Sequence, residues 1–98
     1  MLNQAEQEIL ERRTARWVYE QGREVTAKEV AVRFRLHVHT ARRVIHRIMK
    51  RSDGILCMLL GKYEKTAKGM RLVKYFSVIY LPDEYQPKGN KKRQDNER

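Results

Sequence analysis

Residues 25–51, VTAKEVAVRFRLHVHTARRVIHRIMKR, decide the fold, because they read as two short amphipathic helices joined by a tight turn. Thr26 and Glu29 make the capping box T-A-K-E that opens a helix over Ala27–Phe34, and Ala27, Val30, Ala31 and Phe34 follow the i, i+3, i+4, i+7 spacing of an inward face. Arg35, Leu36 and His37 form the turn, with Leu36 placed to plug the angle between the helices. A further helix is expected from Val38 to Arg51. The segment is also strongly basic, with eight Lys or Arg against one acid, net +7.

On the last of these helices Ala41, Val44, Ile45 and Ile48 share a narrow arc that must face a core. Opposite them lie His39, Arg43, His46 and Lys50, flanked by Arg42 and Arg47. No acid occurs between Val38 and Arg51, whereas a merely solvated helix mixes signs to gain i, i+4 pairs. A helix that is aliphatic on one side and cationic on the other fits the major groove of DNA, where Arg bonds bidentately to guanine and other cations meet phosphates.

The rest of the chain supports this placement. Residues 1–24 carry net −1, residues 52–82 net +3 and residues 83–98 net +1, so most of the chain's +10 sits in the helical pair. Ahead of it, Asn3 with Glu6 and Gly22 bracket a scaffold helix from Gln4 to Gln21. Leu10, Thr14, Trp17 and Val18 should form its inner face with Ile9 at the edge, and Glu6, Glu8, Glu11, Arg12 and Arg16 its other sides. A short strand is expected at Glu24 and Val25. After the break Ser52-Asp53-Gly54, Ile55–Tyr63 and Arg71–Leu81 read as two strands linked by the polar segment Glu64–Met70. This hairpin would be a wing, with Lys65 and Lys68 on its loop and Lys62 and Arg71 on its flanks, placed for backbone or minor-groove contact. The expected class is α+β: a winged helix-turn-helix of three helices and a two-stranded wing over residues 1–82, followed by a polar, disordered tail over 83–98 in which Lys88, Lys91, Lys92 and Arg93 could touch phosphates in passing.

Other chemistry finds little footing. A single domain of 98 residues has a small core, and a cofactor cavity would compete for the same apolar residues, so neither an enzyme nor a cofactor is expected. There is no Gly-rich phosphate loop, no nucleophile elbow and no paired acids at useful spacing. His37, His39 and His46 lack the cysteine and carboxylate partners of a metal site. The lone Cys57 lies in the apolar run Ile55–Leu60 and is expected buried and reduced. The polar, acidic start and the absence of a long apolar run suggest a cytoplasmic protein without membrane contact.

The order WVYEQGREVTAKEVAVRF, then TARRVIHRIM, then RLVKYFSV resembles the CaiF/GrlA group of small bacterial transcriptional regulators over about residues 10–82. The resemblance implies transcription regulation, with activation of an operon as the leading expectation, and it carries recognition-helix positions onto Val38, His39, Thr40, Arg42 and Arg43. Two positions depart from the usual helix-turn-helix: Arg35 stands where Gly is common, and His37 where Ser or Thr caps the second helix. Double-stranded DNA is thus the expected partner. A homodimer is added because one recognition helix covers too few base pairs to find a site in a genome. The alternatives are a winged-helix interaction module for a partner regulator or RNA polymerase, for which Tyr19, Tyr80 and Tyr85 are candidate contacts, or an RNA binder, which would need aromatic stacking platforms that the last helix lacks.

Overall fold

Local capping chemistry sets the first three elements. In the computed structural model, which describes residues 3–85, helix α1 spans Gln4–Gln21. Asn3 Oδ1 accepts from the Glu6 amide at 2.8 Å, and Glu6 Oε1 accepts from the Asn3 amide at 3.1 Å. Gly22, left-handed at φ 65°, ends the helix by donating its N–H to the Tyr19 carbonyl. Helix α2, Ala27–Phe34, opens on the reciprocal pair of Thr26 and Glu29. Its exit turns on Arg35, held at φ 57° and ψ 49°, while the Leu36 amide reaches back 2.8 Å to the Ala31 carbonyl. That geometry closes a Schellman turn and swings the chain into the next helix, which is why a left-handed residue is needed here.

Helix α3 spans Val38–Met49, two residues shorter than the pattern suggested. His37 caps it in place of Ser or Thr, its Nδ1 accepting from the His39 amide at 3.2 Å. Past Met49 the last turn tightens, the Arg51 amide donating to the Ile48 carbonyl at 3.1 Å, while its guanidinium bonds Glu8, Glu11 and Asp53.

Strands β1, Leu56–Thr66, and β2, Gly69–Tyr80, form one antiparallel hairpin. The expected Glu64–Met70 connection is instead mostly strand: Glu64 pairs with Arg71, Lys65 with Met70 and Thr66 with Gly69, leaving Ala67 and Lys68 as the turn. Residues 61–70 are exposed on both faces, so no buried apolar run marked this stretch as strand. The short strand expected at Glu24 and Val25 is a single bridge, with Val25 and Phe76 exchanging both backbone bonds at 2.8 and 2.7 Å.

The core lies where the helices meet the base of the hairpin. Phe76, Ile48, Val18, Val25 and Val30 are its largest fully buried apolar side chains, with Trp17 edge-on to Phe34 at its margin, 5.9 Å between centroids. Helix α1 corrects the wheel in one respect. Glu11, expected on an outer side, is 6% exposed, whereas Ile9 is 55% exposed. Thr14 is fully buried, and its hydroxyl has no hydrogen-bond partner among the described residues. Cys57 is half-buried rather than buried, and desolvation raises its thiol pKa.

A second correction concerns the end of the domain. Asp83–Tyr85 form a short 3-10 turn, and Tyr85 is buried, its hydroxyl donating to Asp53 Oδ2 at 2.7 Å. The boundary placed after residue 82 therefore moves outward, and Tyr85 is a core residue rather than a contact for a partner. The rest of the expected tail, with Lys88, Lys91, Lys92 and Arg93, lies outside the described residues. Among those described, no helix is long and apolar enough to cross a membrane.

Because Arg35 is exposed and left-handed, Arg35→Gly should remove steric strain and stabilise the fold by about 1 kcal/mol. Urea denaturation followed by circular dichroism measures this, and an equal or lower midpoint for the glycine variant would contradict it.

Candidate nucleic-acid interface

Helix α3 divides as its sequence period requires. Ala41, Val44, Ile45 and Ile48 are buried, while His39, Arg42, Arg43, His46, Arg47 and Lys50 are exposed and Val38 and Thr40 are intermediate. Burial of the aliphatic arc fixes the rotation of the helix about its axis, so the cationic arc must point to solvent.

The exposed cations are not equivalent. Arg47, counted with the groove-facing set from its position on the wheel, donates from Nε to Glu11 Oε2 at 2.9 Å. Arg51, only 15% exposed at its side chain, donates to the other Glu11 oxygen at 2.8 Å and reaches Glu8 and Asp53 as well. Helix α1 thus supplies the acids that α3 lacks. These contacts hold Glu8 at a pKa of about 2, chiefly through hydrogen bonds from Arg51 and then Arg12. Tyr85 closes the network, with the Arg12 and Arg51 guanidiniums 5.0 and 5.4 Å from its ring centroid. Its hydroxyl pKa is raised, first by burial and then by the bond to Asp53.

Arg43, His46 and Lys50 make no side-chain ion pair or hydrogen bond among the described residues. Near the start of the helix Arg42 approaches His39 Nδ1 at 3.5 Å, and the His37 and His39 rings stack 4.9 Å apart. The result is a surface of cations with little internal compensation, the arrangement that favours an external polyanion.

Across from α3 stands the distal hairpin. A groove of about 660 Å³ runs between them, with Ile45 and Leu59 in its lining, Lys28, Val38, Arg42 and His46 on the helical side, and Arg71 to Tyr75 on the β2 side. Glu64 is the acid at its hairpin wall, and Tyr75 donates a hydrogen bond to it. Lys65, Lys68 and Arg71 are exposed cations on the hairpin, with Lys68 in the turn. Lys62 is not free, since its Nζ lies 2.9 Å from Glu24 Oε1 and over the Tyr75 ring. The groove also gathers two cations that the sequence reading left aside. Lys28 lies inside the capping box, and Lys74 inside an apolar strand, where its alternation with Val73 and Tyr75 is the one local signal.

Of the three tyrosines considered for partner contact, Tyr19 and Tyr80 are 40% and 50% exposed. Comparisons with protein-family models, curated proteins and solved structures found no match.

The two kinds of arginine on α3 should separate in experiment. Arg47→Ala leaves part of a buried carboxylate unpaired and should lower thermal stability, whereas Arg43→Ala should leave the melting temperature unchanged. Scanning calorimetry decides, and equal melting temperatures for both variants would contradict the pairing.

Acid should act through the same network. Glu8 is depressed from 4.5 to about 2, so its share of stability is complete above pH 4.5 and fades as the pH falls towards 2. Glu8→Gln should flatten the loss of melting temperature across that window, the effect being softened because Glu8 is 44% exposed at its side chain. An unchanged acid profile would contradict it.

Proposed function

We propose that this chain is a winged helix-turn-helix regulator that binds double-stranded DNA, with α3 in the major groove and the hairpin as a wing on the backbone. One observation supports the reading above the others. The solvent side of α3 and its C-cap presents Arg42, Arg43, His46 and Lys50 without an acid on that helix, and Arg42 and His46 share a groove with Arg71 and Lys74. The dimensions are suitable, since a helix of this width enters the major groove and the next cations of the hairpin can meet the flanking phosphates.

Within that reading the roles divide by freedom. Arg42 and Arg43 are placed for base edges, with Val38, His39 and Thr40 beside them at the start of the helix. His46 and Lys50 follow along the same face. Lys65, Lys68 and Arg71 position the wing on phosphates, joined by Lys28 and Lys74 from the groove. Arg47 and Lys62 act first as internal braces. The likeness of residues 10–82 to the CaiF/GrlA group gives the binding a regulatory sense, activation of a bacterial operon in the cytoplasm. A partner regulator or RNA polymerase would then be met through a surface other than the cationic one.

Fluorescence anisotropy with labelled duplexes tests the proposal. Duplex DNA should compete for the chain better than structured RNA, and the affinity should fall steeply with salt, as counterion release requires. Preference for structured RNA, or no binding to duplexes in dilute buffer, would overturn it. Arg43→Ala should cost about 1 to 3 kcal/mol on the specific site alone, whereas Lys68→Ala should weaken all sequences alike. Equal losses on specific and random DNA for Arg43→Ala would reduce that side chain to a phosphate contact.

A further inference from the structure

The hairpin base has a face and an edge that no described residue covers. Strand β2 is paired on both sides, with β1 on one and Val25 on the other, but β1 is paired only with β2. Its second edge meets no strand among the described residues. An open edge presents a row of unsatisfied N–H and C=O groups, and proteins that remain monomeric usually blunt it with Lys, Pro or a covering element. Residues 55–61, ILCMLLG, hold no charge and no proline. On the side of the hairpin away from the core Leu56, Met58 and Leu60 are 57%, 43% and 43% exposed, and Ile79 and Tyr80 beside them 55% and 50%.

What could cover this surface is constrained by charge and by composition. Its apolar side chains carry no charge and the cation beside them, Lys62, is already paired with Glu24, so the polyanion suited to α3 gains little here. Residues 86–98, QPKGNKKRQDNER, have no apolar side chain besides Pro87 and cannot bury a Leu-Met-Leu face. A second copy of the chain fits on two counts. Two molecules of charge +10 repel least when the faces that meet carry no charge of their own, and residues 55–61 carry none. Pairing about a twofold axis at Met58 also sets Leu56 opposite Leu60 and Met58 opposite itself, so the stretch complements its own copy.

We propose that β1 of one chain pairs antiparallel with β1 of a second, centred on Met58, to form a homodimer through a continuous four-stranded sheet. The pairing satisfies backbone groups along both edges and covers the outward apolar side chains of both copies. It leaves both cationic helices free and gives the regulator proposed above two recognition elements, although it requires no DNA to form.

Sedimentation equilibrium of the full chain without DNA tests it, so failure here leaves the DNA reading standing. The wild-type chain should sediment at twice the monomer mass at tens of micromolar. Met58→Lys, at a solvent-facing position, should halve that mass while keeping the circular dichroism spectrum and melting behaviour of a folded monomer. Met58→Cys in a Cys57→Ser background should form an intermolecular disulfide on mild oxidation, because residues directly opposite in an antiparallel pair lie within bridging distance. A wild-type monomer at these concentrations, a dimer that Met58→Lys leaves intact, or no cross-link from the cysteine variant would overturn the proposal.

Discussion

The carboxylate of Glu11 is the constraint on which the cationic surface depends. It is 6% exposed, and its two oxygens accept from Arg47 and Arg51, one within α3 and one just past its end. A buried carboxylate is costly unless its lone pairs are met, and of its two partners Arg51, 15% exposed against 50% for Arg47, makes the more buried pair. The bridge therefore anchors the C-terminal end of α3 on α1. Apolar burial of Ile45 and Ile48 sets the rotation of the same helix, and the two together leave its remaining cations pointing outward.

A division of labour among like residues follows. Arg47, Arg51 and Lys62 find acids on α1 or beside the sheet and become braces, while Arg43 on the same helix and Lys50 at its C-cap pair with none among the described residues. Charge balance within a small domain thus decides which cations brace the fold and which stay solvated. The hairpin shows the same economy in reverse. Its base is apolar and partly used by the core, its distal half cationic and exposed on both faces. Isolated two-stranded ribbons have marginal stability, so the distal half draws its order from the base to which it is continuous.

Much of this was legible in the residues. The capping boxes at Asn3 and Thr26 gave two helix starts, and the aliphatic spacing of α3 gave its buried face, because both signals are local and short-range. What escaped is long-range. Arg47 sits on the outer arc by angle, yet its partner lies 36 residues earlier, and no periodicity reports that distance. Glu11 was placed on a solvated side for the same reason. Tyr85 looked like part of a polar tail, although Arg12, Arg51 and Asp53 gather around it. The distal strands read as a loop in the sequence because a ribbon with two wet faces carries no apolar alternation.

The outward cationic face of α3 is most directly examined by mapping amide chemical shifts in the isotope-labelled chain as duplex DNA is added. The expected perturbations cluster on Val38, His39, Arg42, Arg43, His46 and Lys50, with a second group at Lys65, Lys68, Arg71 and Lys74 across the groove. Shifts confined to Leu56–Leu60 and Ile79–Tyr80, or no shifts with any duplex at low salt, would contradict the account.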